Sequence, residues 1–393
     1  MNLSEIKQLD AEHFLGVFGE RCPVCFVRGE GCTLYDQDGR AYTDLFAGIA
    51  VNALGYNHPA VTDALITQAQ TGILHTSNLY YVEPQAKLAA LLCANTFADR
   101  VFFANSGAEA NEGGIKAARK YAVEKKGADH FTIVTLKNSF HGRTITTLSA
   151  TGQEHYHELF QPLTPGFVHA PANDLEAVKE AALANKAAAV MIECIQGEGG
   201  VIALEQDFVQ GLADFCAAED ILLLVDEVQT GNGRTGALYA YMNYGVTPDI
   251  VSTAKGLGGG LPLGATLLGE KVEFVLGAGD HGSTFGGNPV SCAGALSILG
   301  RIDDKLLQEV REKGDYVRGE LSAAPGVESV SGMGLMIGVK PVKPAGDVVA
   351  ACLEQGVLCL TAKDKVRLLP ALNIPMETLK QAVAVLKAAC AEG

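Results

Sequence analysis

The 393-residue sequence predicts an α/β fold: a mostly parallel central sheet with helices on both faces, joined to a smaller α+β domain. Three observations point there. Short continuous apolar runs rich in Val, Ile and Leu recur between residues 101 and 268, as strands buried on both faces require. Stretches of amphipathic helical period separate several of them, and strand–helix alternation is what parallel crossovers produce. Apolar residues make up 48% of the chain and charged residues 19%, enough to fill large cores and too apolar for disorder. At roughly 100–200 residues per domain, the length predicts two domains.

Taken in order, the opening MNLSEIKQLDAEHF has early acidic residues and no continuous apolar stretch, which argues against a secretory signal. Residues 30–50 read as a hairpin about the turn Asp36-Gln37-Asp38-Gly39. Buried strands are expected at Val101–Ala104, Phe131–Leu136, Ala188–Glu193, Ile221–Asp226, Ile250–Thr253 and Ala265–Leu268. Helices are expected from near Ala108, over Leu175–Asn185 and over Gln206–Glu219. Beyond residue 290 come a long helix from Cys292 to Ala323, continuous or broken, three short strands and a closing helix from Met376. The expected division is residues 1–58 as an N-terminal segment joining the small domain, 59–290 as the large domain, and 291–393 as the C-terminal small α+β domain.

Composition removes several function classes. A net charge of -15 without any basic run repels phosphate backbones, so no nucleic-acid partner is expected. Apolar runs such as Ile221–Val225 fall far short of the roughly 20 residues of a membrane span. A soluble, cytoplasmic protein is expected. Ten cysteines scattered over the chain read as reduced core thiols, and Cys22-x-x-Cys25 with nearby Cys32 lacks a second pair at metal-site spacing. His155-Tyr156-His157 lacks a completing ligand and reads as a solvated helix start, so no metal is expected. Two G-x-G-x-x-G matches occur, GNGRTG (231–236) and GAGDHG (277–282). Neither opens a helix directly after a first strand, so a nicotinamide enzyme is rejected.

Polar chemistry gathers where the buried strands end, and ligands of open α/β sheets bind outside those carboxyl ends. Asp226 closes the run ILLLVDEVQ; a carboxylate there needs a cation or ligand, although a helix cap or internal ion pair would also explain it. Lys255 follows another apolar strand and precedes a glycine cluster. A partly desolvated lysine there can form Schiff bases, although alone it also reads as a surface lysine. The turn Asn105-Ser106-Gly107 opens a helix whose free N–H groups could hold an anion, or simply a capped start.

Together, Asp-Glu-Val-Gln after a strand, the later Thr-Ala-Lys-Gly-Leu-Gly-Gly-Gly and the Asn-Ser-Gly-Ala-Glu-Ala-Asn-Glu turn resemble the class III (ω-amino acid) aminotransferases. NSFHGRT (138–144), ECIQGEGG (193–200), HGSTFGGNPV (281–290) and VRLLPAL (366–372) extend the likeness over almost the whole chain. The resemblance implies a fold-type-I dimer that uses pyridoxal 5'-phosphate in a cleft near the subunit boundary. It implies that Lys255 binds the cofactor covalently and that Asp226 keeps the pyridine nitrogen protonated. Gly107 and Ala108 would take the phosphate, aided by Thr284 from the partner subunit. Phe140 and Val228 would stack on the two ring faces, Gln229 would bond near the ring oxygen, and Glu227 belongs to the same motif.

The GIAVNALGYNHP (48–59) and SNLYY (77–81) stretches resemble most the family members that act on N2-acetyl-L-ornithine with 2-oxoglutarate, in arginine biosynthesis. Arg143 would then bind the distal carboxylate of either substrate. Arg367 would take the carboxylate beside the reacting carbon, Glu198 would shield Arg367 when the donor has none there, and Ser283 would touch the donor. Two residues depart from the family pattern, Cys194 in place of a usual proline and Tyr56 in place of a common histidine. Succinylornithine, succinyl-diaminopimelate and 4-aminobutyrate remain alternative donors. An aminomutase and a non-catalytic binding protein are the alternatives from other classes.

Overall fold

Seven strands assemble into one sheet, and the five inner ones are apolar runs too hydrophobic to face water on either side. The structure, a computed structural model, describes residues 1–391. In chain order, the first strands are β1 (Phe26–Glu30), β2 (Thr33–Asp36), β3 (Ala41–Asp44), β4 (Arg100–Ala104), β5 (Thr132–Leu136), β6 (Phe167–Ala170) and β7 (Ala187–Ile192). Then come β8 (Ile195–Gln196), β9 (Ile202–Ala203), β10 (Leu222–Asp226), β11 (Ile250–Thr253) and β12 (Gly264–Leu268). The last five are β13 (Val327–Met333), β14 (Met336–Pro341), β15 (Val357–Leu358), β16 (Leu360–Ala362) and β17 (Lys365–Leu368).

The central sheet has the order β4-β12-β11-β10-β7-β5-β6. Strands β11, β10, β7, β5 and β6 pair in parallel, and β12 lies antiparallel to both β11 and β4. All residues of β5, β7, β10, β11 and β12 are buried. Each fully buried Val, Leu or Ile contributes about 1.5–3 kcal/mol, so the interior of the sheet supplies much of the large core. Strand β6 was not expected from the sequence. It sits at the sheet edge, half exposed and interrupted by His169, so its apolar signal is weak.

The helix Gly107–Lys126 crosses the sheet with a face of small residues. Ser106 caps it by accepting a hydrogen bond from the Glu109 N–H at 3.2 Å. A Cβ on Gly114 would lie 2.9 Å from Leu224 Cδ1, so only glycine lets this helix lie so close to β10. That closeness lets Asn111, about one helical turn earlier, reach Asp226 at the end of β10.

Beyond the sheet, the expected long helix is two, Pro289–Leu299 and Asp304–Ser322, because Asp303 starts a new one by accepting from the Leu306 N–H at 2.8 Å. Five short strands rather than three follow residue 290. Strands β13, β14, β17 and β16 form an antiparallel sheet, while β15 instead pairs in parallel with β3 of the N-terminal hairpin through Val357 and Thr43. Leu45 and Leu54 share a buried cluster with Ile337, Leu368 and Leu386.

Candidate active site

Strands β4, β5, β7, β10 and β11 all end on the same side of the sheet, since β4 and β11 are both antiparallel to β12. A cavity of about 560 Å³ opens at those ends. Asp226, Val228 and Gln229 enter it after β10, and Lys255 after β11. Phe140 and Arg143 come from the loop after β5, and Gly107 and Ala108 from the helix that follows β4.

The Asp226 carboxylate is 4% exposed and heavily bonded. Its Oδ2 accepts from Asn111 Nδ2 and from His141 Nδ1, both at 2.8 Å, and its Oδ1 accepts from the Val228 N–H at 3.0 Å. Asn111 also donates to the His141 carbonyl at 2.7 Å, and its own carbonyl accepts from Ser252 Oγ. These donors hold the carboxylate in one orientation. Glu193 also lines the cavity; burial pushes its pKa up to about 7, against the nearby His141, while the Phe140 N–H donates to it at 2.9 Å.

Lys255 begins a single helical turn with φ +46°, a left-handed conformation that side chains with a Cβ adopt at a cost of order 1–3 kcal/mol. Its amine makes no hydrogen bond or ion pair to any described residue. Burial lowers its pKa below the ordinary lysine value; Glu198 works against that and Arg367 with it. A left-handed backbone and an unpartnered amine set this lysine apart from the other residues of the cavity.

Neither Arg367 nor Glu198 lines the cavity; both join it through Gln229, which does. Arg367 on β17 is almost wholly buried and donates from Nη1 to Glu198 Oε1 at 2.6 Å and to Gln229 Oε1 at 3.1 Å. Gln229 Nε2 donates in turn to Glu198 Oε1 at 3.5 Å. Burial opposes ionisation of Glu198, but the Arg367 charge and hydrogen bond outweigh it and hold the carboxyl below its usual range. Arg367 Nε is buried without a hydrogen-bond partner.

Arg143 is exposed and bonds to no carboxylate; its guanidinium lies against aromatic rings. Besides Glu198 and Arg367, three more expected residues do not line the cavity. Glu227 corrects the sequence reading: its carboxylate is fully buried behind the cavity, accepting from the Tyr241 N–H at 2.8 Å and from Thr230 Oγ. Neighbours at the end of a strand point to opposite faces, so Asp226 and Glu227 cannot share a site. Ser283 Oγ accepts from Asn105 Nδ2 and from the Gly286 N–H, both at 3.0 Å, and does not line the cavity. Thr284 is exposed, away from this chain's own cavity.

Asn111, His141, Glu193 and Ser252 received no role from the sequence. Asn111, His141 and Glu193 lay inside quoted motifs, which was a usable signal. Ser252 had none, because its link to Asp226 through Asn111 exists only across the helix–sheet contact.

The sequence model of the family described as Aminotransferase class-III matches residues 17–390. The chain is 50% identical over 388 residues to the Acetylornithine aminotransferase of Haemophilus ducreyi, covering 98% of each. Its fold is similar to that of the ornithine aminotransferase from Toxoplasma gondii, with TM-score 0.94, 31% identity, and 99% and 95% of the two chains covered. The N-acetylornithine aminotransferase from Stenotrophomonas maltophilia superposes with TM-score 0.83 at 36% identity, covering 95% of this chain and 97% of that one.

Proposed function

The chain belongs to the class-III aminotransferases, which are pyridoxal-phosphate enzymes, and from that premise we propose that it transfers the terminal amine of N2-acetyl-L-ornithine to 2-oxoglutarate. The products are N-acetyl-L-glutamate 5-semialdehyde and L-glutamate, and the role is in arginine biosynthesis.

The residues present fit the cofactor. The cavity holds one free amine, at Lys255, for an aldehyde, and one oriented carboxylate, at Asp226, for a ring nitrogen. At the helix start, the Gly107 and Ala108 N–H groups have no helical acceptor and suit a phosphate. A Cβ on Gly107 would come within 2.5 Å of Val228 Cγ1, so the glycine keeps that cradle open. Phe140 and Val228 supply apolar walls for the ring, and Gln229 a polar edge.

When bound, the cofactor supplies a ring that draws electrons from the reacting carbon of the substrate. Asp226 would accept the ring N–H, and His141 and Asn111 hold that carboxylate aimed into the cavity. Lys255 Nζ, neutral more readily because it is buried, would take the proton from the amine-bearing carbon of the substrate and deliver it to the carbon on the far side of the nitrogen being transferred. Arg143 binds the distal carboxylate by a two-pronged contact. Arg367 stays neutralised by Glu198 while the ω-amine donor, which has no carboxylate near its reacting carbon, is bound. It is released to hold the α-carboxylate of 2-oxoglutarate in the second half of the cycle.

The observation that carries this reading is the 2.6 Å Glu198–Arg367 pair, joined through Gln229 to a cavity whose own arginine, Arg143, bonds to no carboxylate. One pocket must accept a near carboxylate in one half-reaction and none in the other, and a pair that opens and closes does both.

A homodimer belongs to the same proposal. Leu79 is 88% exposed, and Tyr80, Tyr81 and Phe285 are exposed too, a set of large apolar side chains that a second copy would cover. Thr284 beside Phe285 would then serve the partner's cavity. No helix among the described residues is long and apolar enough to cross a membrane. A cytoplasmic location and the division at residues 58 and 290 complete the proposal.

Steady-state assays across a donor panel test the substrate. The expected result is a kcat/KM for N2-acetylornithine far above those for 4-aminobutyrate and unacylated ornithine. Equal values for the three donors would remove the acetylornithine assignment and leave the chemistry standing.

A further inference from the structure

A guanidinium on a flexible stem loses freedom when it captures a carboxylate, and it binds better when something already holds it in place. Arg143 has no such hold from hydrogen bonds, since no polar group among the described residues bonds it. Its restraint is aromatic. The guanidinium carbon lies 4.5 Å from the centre of the Tyr156 ring and 5.6 Å from that of Phe140. The Tyr156 ring also meets Phe140 edge-on, with centres 5.9 Å apart and planes at 68°.

The sequence suggested a solvated helix start at His155-Tyr156-His157; the structure has a short helical turn there with His155 exposed, but Tyr156 and His157 are half-buried. Tyr156 is half-buried on a single tight turn, Glu154–Tyr156, that is tied down on both sides. Gln153 Nε2 donates to the Ser139 carbonyl at 3.0 Å, and His157 Nε2 to the Leu148 carbonyl at 2.9 Å. Both anchors lie on the segment that carries Phe140 and Arg143, so the ring is fixed relative to the arginine. A ring under the flat face of a guanidinium leaves its N–H edge free for a carboxylate. The Tyr156 hydroxyl makes no hydrogen bond to a described residue, so the ring rather than the hydroxyl makes the contact.

We propose that Tyr156 is a positioning residue that orients Arg143 toward the distal carboxylate, and so sets the substrate length the pocket accepts. This rests on the reading of Arg143 as the carboxylate receptor, and the test separates the two.

The holoenzyme is compared with Tyr156→Phe, Tyr156→Leu, Arg143→Gln and the double variant Arg143→Gln/Tyr156→Leu. The readouts are kcat and KM for both substrates and the inhibition constant of glutarate, a dicarboxylate that cannot react. Tyr156→Leu is expected to raise both KM values and the glutarate constant about 3- to 10-fold, with kcat changed less than about 2-fold. Tyr156→Phe, which keeps the ring, is expected to stay within about 2-fold of the unmodified enzyme. In the Arg143→Gln background, Tyr156→Leu should add nothing further. Unchanged glutarate binding in Tyr156→Leu, an equal loss in the Arg143→Gln background, or no rescue by phenylalanine would each overturn the proposal. If Arg143→Gln itself left glutarate binding untouched, the assignment of Arg143 would fall first and take the role of Tyr156 with it.

Discussion

Arg367 and Glu198 form a 2.6 Å ion pair in which the arginine is 2% exposed and retains one unpartnered nitrogen. A buried guanidinium left without its carboxylate is costly, so the pair is stable until another carboxylate takes the place of Glu198. Charge neutrality is conserved through the exchange, which makes it reversible at low cost.

Replacing Glu198 with alanine removes the internal competitor. The KM for 2-oxoglutarate is expected to fall, and the donor half-reaction to slow. The ratio of kcat/KM values, donor over acceptor, should drop about 10-fold or more, the equivalent of roughly 1.4 kcal/mol. Stopped-flow absorbance on each half-reaction measures this. An unchanged ratio would remove the gating role of the pair.

Asp226→Asn keeps the size of the side chain and deletes its charge. The loss expected in kcat is about 10²- to 10³-fold, the range for removing one preorganised electrostatic contact to a developing charge. Equilibrium dialysis should show cofactor still bound, because the Gly107–Ala108 helix start is untouched. Full activity in this variant would separate Asp226 from the chemistry.

Burial lowers the pKa of Lys255, and the negative Glu198 raises it in part. A lowered lysine pKa means that the neutral, nucleophilic amine persists to lower pH than in a free lysine. Acylation of Lys255 in the cofactor-free protein, followed against pH by mass spectrometry, should therefore lose its rate at a pH below the ordinary lysine range. Glu198→Gln should move that limb further to the acid side. A shift to higher pH would contradict the electrostatic account.

Burial pushes the Glu227 carboxyl up to about 7, from an ordinary value of 4.5. The folded state therefore keeps a proton that the unfolded chain releases near 4.5. This stabilising contribution is complete below that pH and is lost as pH rises toward 7. Glu227→Gln, neutral at every pH, should melt at progressively higher temperature relative to the unmodified protein between about pH 4.5 and 7. Calorimetry across that range reads the difference, and a constant gap would show that Glu227 does not titrate as buried.

Most sheet strands were legible because β5, β7, β10, β11 and β12 are buried on both faces and read as unbroken apolar runs. Edge strand β6 and the two-residue β15 carried too little signal of that kind. Lys255 and Asp226 were readable because both follow such runs, at the side of the sheet where ligands bind. Glu227 shared that sequence position and misled, since adjacency along a chain says nothing about which face a side chain takes.

Local order in the chain already contained the apolar strands, the capped helix after β4, and the lysine and carboxylate at their ends. These depend on neighbours a few residues apart. The pairing of Glu198 with Arg367, the bonds of Asn111 and His141 to Asp226, and the stacking of Tyr156 on Arg143 came only with the folded packing. The first two join residues 85 to 169 positions apart. The third spans a loop whose course is set by the bonds of Gln153 and His157. Side-chain direction over such distances is decided by which backbones pack together, and the glycine at 114 that permits one of those approaches gives no hint of it in isolation.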